Sequence, residues 1–218
     1  MIVIRCGSAP VPTVLVEQTR MECSEIPTTE EINRALTGVG TRRRVLLCGT
    51  DAGLAALLTR LMRTENLDVE VAYIAEDPTP VTRAYDLPTG SAAAKLAVRG
   101  EAREVPLVRD ETGTVLVGEA TVTGPEGAPL VGEAYADDER VFSGEIRTLT
   151  VRPTPAMPGV RATAARPRRM LRRSWLPARA VQLGTEAGVI TRDGVTGRRA
   201  VKRTTFYRHT EPWRLVSP

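Results

Sequence analysis

The segment that most constrains this chain is Arg44-Val45-Leu46-Leu47-Cys48 running into Gly49-Thr50-Asp51-Ala52-Gly53. An apolar run of strand length passes into a turn of small residues, and Leu54, Leu57, Leu58 and Leu61 then recur at the spacing of one helical face. A strand, a Gly-containing turn and a helix in that order leave unpaired backbone N–H groups beside the positive end of a helix dipole. Such groups can hold phosphate oxygens without a cationic side chain. Gly49 permits close approach of a ligand to the backbone, and Thr50 offers a hydroxyl. Asp51 can either cap the helix or orient a ribose, a metal-bound water or the loop itself.

A second segment, Leu87-Pro88-Thr89-Gly90-Ser91-Ala92, repeats the loop-then-helix arrangement. Thr89 or Ser91 can cap the helix that continues through Ala93, Ala94 and Leu96, and Gly90 allows an unusual backbone angle. Open α/β sheets bind ligands at the carboxyl edge of their strands, so the two loops together point to one nucleotide site. The expected nucleotide-binding residues are Gly49, Thr50, Asp51, Thr89, Gly90 and Ser91.

The surrounding sequence predicts an α+β chain of two domains. Over residues 1–102, strand-like runs (Ile2 to Arg5, Thr13 to Glu17, Arg44 to Cys48, Leu67 to Ile74) alternate with helical patterns, as in an α/β layer on a largely parallel sheet. One of those helices starts after Thr28, where Glu31 three residues on completes a capping box. Residues 103–211 read as an antiparallel β-sandwich. Glycine becomes frequent and short alternating segments succeed one another: Val105 to Arg109, Thr114 to Val122, Leu130 to Ala134, Arg140 to Val151, Ala178 to Leu183, Val189 to Arg192 and Arg199 to Tyr207. Trp175 is expected to fill the core of that domain.

Composition narrows the function classes. Aromatic residues make up 4% of the 218, too few for a surface of stacked bases, so nucleic acid is not an expected partner. The three cysteines lack metal-ligand spacing and there is one histidine, so no metal site is expected and a Ser-His-Asp triad has little material. No run approaches the roughly 20 apolar residues of a membrane span, and a cytoplasmic location is expected. Much of the net charge of +4 lies in Arg166-Pro167-Arg168-Arg169-Met170-Leu171-Arg172-Arg173, where Arg168, Arg169, Arg172 and Arg173 could meet a lipid headgroup or an anionic membrane surface. An exposed sheet edge could pair two copies as a homodimer.

The order of these segments resembles the catalytic domain of diacylglycerol kinases, which share a fold with bacterial lipid kinases, sphingosine kinases and NAD kinases. That family carries a Gly-Gly-Asp-Gly-Thr loop, a Leu-Gly-Thr-Gly-Asn-Asp segment starting a helix, and a β-sandwich with an Asp-Gly-Glu motif. The matching positions are Gly49-Thr50-Asp51-Ala52-Gly53, Leu87-Pro88-Thr89-Gly90-Ser91-Ala92 and Asp193-Gly194-Val195. Residues 212–218 resemble the terminal strand that returns to the first domain. The resemblance implies a nucleotide at the domain cleft, ATP with Mg²⁺ if the protein is active, and Asp193 as the general base for phosphorylating a lipid or polyol hydroxyl. Thr50, Ala52, Ser91, Ala92 and Val195 depart from the pattern. The alternative is a non-catalytic, pseudokinase-like scaffold that binds a nucleotide, a lipid headgroup or a protein partner.

Overall fold

The computed structural model describes residues 1–39, 43–165 and 174–218. Two units account for these residues: Met1–Val105 with Glu211–Pro218, and Pro106–Thr210. The expected basic residues Arg168, Arg169, Arg172 and Arg173 lie outside the described residues.

The first unit contains β1 (Ile2–Cys6), β2 (Arg20–Cys23), α1 (Thr29–Thr37), β3 (Arg44–Cys48), α2 (Asp51–Arg63), β4 (Glu70–Ile74), α3 (Pro80–Tyr85), α4 (Gly90–Arg99) and β5 (Glu101–Val105). Its sheet has the order β2-β1-β3-β4, continued by a strand from the far end of the chain and then by β5. The first four strands are parallel, and β3 is buried along its whole length, as expected of a strand covered on both faces. Thr28 caps α1 through the predicted capping box, its hydroxyl accepting from the Glu31 N–H while the Glu31 carboxylate accepts from the Thr28 N–H.

One expectation fails here, and one helix was not foreseen. Thr13 to Glu17 is not a strand: Thr13–Leu15 is a single 3₁₀ turn with Leu15 buried against the sheet, and the neighbouring strand is β2. The short helix α3 has too few residues to show a period. Thr79 and Pro80 mark its start, with Thr79 and Thr82 capping each other.

Unit two contains β6 (Val108–Asp110), β7 (Val115–Leu116), β8 (Ala120–Thr123), β9 (Leu130–Ala136), β10 (Glu139–Ile146), β11 (Thr148–Pro153), β12 (Val160–Ala165), β13 (Leu176–Ala178), β14 (Ala180–Arg192), β15 (Val195–Thr196) and β16 (Val201–Arg208). The long strand β14 joins its two halves. Its first part pairs with β9 and β16, and its last part pairs with β8. The sheet thereby folds over one core, in which Val122, Leu149 and Ala162 from one half pack in a cluster with Ala134, Phe142 and Phe206 from the other.

Several strands predicted as single pieces are divided. Pro106 separates β5 from β6, and Arg140 to Val151 becomes β10 and β11. Conversely, Ala178 to Leu183 and Val189 to Arg192 largely merge into β14, whose pairing with β16 shifts register between Gly184 and Gly188. Trp175 is not in the core. It is half-buried, with the guanidinium carbons of Arg161 and Arg152 at 4.7 and 5.0 Å from its ring centre.

β17 (Trp213–Ser217) completes the first unit, parallel to β4 and antiparallel to β5. Trp213 is fully buried and meets Tyr85 of α3 edge to face at 5.8 Å. Among the described residues, no helix is long and apolar enough to cross a membrane.

Candidate functional site

A cleft of about 380 Å³ opens in the first unit at the carboxyl ends of β1, β3 and β4. Three chain segments form it: Cys6 to Pro10 after β1, Gly49 to Asp51 after β3, and Ile74 to Asp77 with Thr79 after β4. Glu25 closes one side. This is the edge at which an open parallel sheet exposes its helix N-termini, and the volume falls in the usual range of small-molecule sites.

The turn after β3 is shaped by packing. A Cβ on Gly49 would come within 2.7 Å of the Cys6 Cβ and 3.0 Å of its Sγ, so no larger residue fits without moving β1. Gly53 faces the same sulfur, where a Cβ would stand 3.2 Å from it. The small residues that read as an opening for a ligand therefore also admit the Cys6 side chain beneath the loop. Thr50 is the N-cap of α2, its hydroxyl accepting from the Gly53 N–H at 3.2 Å. The amides of Asp51 and Ala52, in the first turn, have no acceptor within the helix.

Asp51 points inward. Its carboxylate accepts from the Tyr73 hydroxyl at 2.7 Å and from the Val81 N–H at 3.2 Å. The Tyr73 hydroxyl is also 3.2 Å from the Gly49 carbonyl, so one buried tyrosine ties the turn after β3 to the next strand. Asp51 thus braces the start of α2 against the start of α3 and places a negative charge at the positive ends of both helices.

The second expected loop lies outside the cleft lining. Gly90 has a φ of +56°, which favours glycine, and its N–H donates to the Ala75 carbonyl at 2.7 Å. Thr89 occupies the N-cap of α4 without a side-chain capping bond, and Ser91 is exposed on the first turn. Through its bond to Ala75, Gly90 holds the loop after β4 from behind. The cleft wall itself is Ala75 to Asp77, and the sequence signal for it was only that it follows an apolar strand. The loop Gly7 to Pro10 was likewise missed, because a single glycine after a short strand is common.

Glu25, Asp51, Glu76 and Asp77 all line the cleft, and no lysine or arginine does so among the described residues. Burial pushes the Cys6 thiol up to about 12, reinforced by the neighbouring Cys23 and Cys48. Cys6 is therefore a protonated packing group at neutral pH, not a nucleophile.

Asp193 belongs to the second unit. It sits at φ +47° in the turn between β14 and β15, with its side chain turned inward. Oδ1 accepts from the N–H groups of Gly118 at 2.8 Å and Glu119 at 3.1 Å, and Oδ2 accepts from Val117 at 3.1 Å. One carboxylate thus holds the connection between β7 and β8.

No family model and no curated protein sequence matches the chain. Solved structures do. A diacylglycerol kinase from Bacillus anthracis (strain Sterne) superposes with a TM-score of 0.70 at 9% identity, covering 100% of this chain and 96% of the other. An NAD kinase from Archaeoglobus fulgidus, solved in complex with ATP, gives a TM-score of 0.65 at 14% identity, covering 100% of this chain and 94% of the other. At these identities the likeness concerns backbone architecture. A parallel-rich α/β unit, a sandwich built around one long strand and a terminal strand returned to the first sheet are thus the fold that diacylglycerol kinases and NAD kinases share.

Proposed function

We propose that the first unit binds ATP as its magnesium complex, with the phosphates at the first turn of α2 and the cleft walls around the rest of the nucleotide. The observation that carries this is the convergence of Gly7 to Pro10, Gly49 to Asp51 and Ala75 to Asp77 around the N-terminus of a thirteen-residue helix. The ATP held by the NAD kinase of the same fold supports it.

Magnesium fits the donors present. Among the described residues no group of three or more His, Cys, Asp or Glu could hold a metal alone. Mg²⁺ commonly takes one or two carboxylates together with substrate phosphates, and exposed Glu76 and Asp77 can serve that part. The metal would also offset the acidic lining against the triphosphate. Gly90, between Thr89 and Ser91, contributes by fixing Ala75.

Isothermal titration with ATP and Mg²⁺ tests the reading. Saturable heat is expected, weakened by Ala52→Glu, which adds negative charge at the helix end where phosphate is placed while leaving α2 stable. Silence toward ATP, ADP and NAD, each with Mg²⁺, would sink it.

A second reading adds transfer of the terminal phosphoryl group to a lipid or polyol hydroxyl, supported by the full-length likeness to a diacylglycerol kinase. Asp193 would be its base. Three backbone N–H groups already draw on that carboxylate, which favours a binding protein in which Asp193 shapes the sandwich. Labelled ATP supplied with diacylglycerol or glycerol separates the two readings: label in the acceptor establishes transfer.

A further inference from the structure

We propose that Arg152, Arg161 and Trp175 form an anion site on the second unit that takes a phosphate monoester. This goes beyond the nucleotide reading and does not depend on it, since every residue involved lies in the sandwich.

Arg152 on β11 and Arg161 on β12 are direct cross-strand partners. Like charges placed opposite each other on neighbouring strands repel, so the pair calls for negative charge. Glu119 supplies one, accepting from Arg152 Nε at 2.6 Å. Arg161 has no ion pair among the described residues, and its Nε is buried without a hydrogen-bond partner there. Burial, with Arg152 beside it, pulls the Arg161 guanidinium below its ordinary value, the sign expected of a cation short of a counter-charge.

Trp175 fixes the geometry. Both guanidinium carbons lie within 5.0 Å of its ring centre, so the indole covers the apolar faces of the two forks. Glu119 takes the Nε and Nη2 groups of Arg152, which leaves Nη1 of Arg152 and the fork of Arg161 to donate. Two planar forks with one net positive charge after Glu119 suit a tetrahedral dianion, which accepts from both. Along the same face, one residue pair further on, the register partners Thr150 and Thr163 are buried, which limits access by solvent from that side.

The phosphate can belong to a lipid headgroup or to a soluble metabolite. The test titrates the full chain with inorganic phosphate, with glycerol phosphate, and with phosphatidylcholine vesicles doped with phosphatidic acid, following calorimetric heat and tryptophan emission. Saturable binding of at least one probe is expected, with the emission change lost in Trp175→Leu. Arg161→Gln should weaken binding about tenfold or more, the scale of one hydrogen bond between charged groups. Arg161→Lys, which keeps the charge and loses the fork, should fall between.

Binding of both soluble probes identifies a metabolite site, and binding of the vesicles alone identifies a headgroup site. The proposal is overturned if no probe binds, or if Arg161→Gln, shown to be folded by circular dichroism, binds as the parent does. It is also overturned if binding disappears only when Arg168, Arg169, Arg172 and Arg173 are neutralised. Should Arg161→Gln fail to fold, a phosphate-induced rise in the melting temperature of the parent chain, abolished in Trp175→Leu, carries the same decision.

Discussion

Asp51 and Asp193 show how a carboxylate that looks chemical can be held by the fold. Each is less than a tenth exposed and accepts from backbone N–H groups of a distant segment. In Asp193→Asn the amide nitrogen must face a backbone donor, at Val117 or at Gly118 and Glu119. We expect a loss of about 2 kcal/mol, from the usual worth of hydrogen bonds to a charged group, read by urea unfolding. A base without structural duty would show lost turnover at unchanged stability. Arg44 is likewise held by the fold. Its buried guanidinium pairs with Glu70 at 2.7 Å and donates to the carbonyls of Ala97 and Gly100 at the end of α4. Arg44→Met leaves those carbonyls unpaired and Glu70 with Arg214 alone at 3.7 Å, with an expected penalty of about 3 kcal/mol in the same measurement. The three cysteines add a pH dependence. Burial raises Cys6 to about 12 and Cys23 and Cys48 to about 11, from an ordinary 9.0. The folded state therefore keeps these protons more tightly than the unfolded one. Their contribution to stability is fully present below pH 9.0 and is lost as pH rises through 11 to 12, which urea midpoints across that range will follow.

Among the elements, the junction of β3 with α2 is the most demanding. Gly49→Ala, directly after the fully buried β3, forces a carbon against the buried Cys6 of β1, and overpacking of this kind costs about 1–3 kcal/mol. Thermal unfolding should show that loss, and titration with ATP and Mg²⁺ should show weaker binding, since β1 must shift to make room. Sequence could show that a small residue belonged here. It could not show that the crowding partner would be Cys6, because that contact joins two parallel strands far apart in the chain. Thr89-Gly90-Ser91 illustrates the reverse. Its loop-and-cap chemistry is local and was legible, but which side of the turn faces the cleft depends on the Gly90 bond to Ala75.

At the level of the molecule, the chain is interleaved. The sandwich is one continuous stretch, whereas the first unit needs residues 211–218 to place β17 between β4 and β5. Deleting 211–218 removes the buried Trp213 and leaves β5 without a partner in its sheet. We expect hydrogen exchange to show loss of protection throughout the first unit and retention of it in Pro106–Thr210. Equal loss in both units would mean that they fold as one cooperative body.

The two-part organisation was legible because periodicity and turn composition are local properties: buried parallel strands read as apolar runs, and sandwich strands as short alternations. The strand–turn–helix at Arg44 to Arg63 and the cap at Thr28 follow from the same short-range physics. The cleft does not. Its walls come from three stretches brought together by parallel pairing, and only that pairing decides that Ala75 to Asp77 lies in it while Ser91 does not. The tertiary structure also decided the standing of the acidic groups, since Asp51 and Asp193 acquire their partners from segments that no local pattern connects to them. Burial turned one glycine-rich loop from an open cradle into a packed turn over Cys6, while the amides of the first turn of α2 keep no acceptor within the helix.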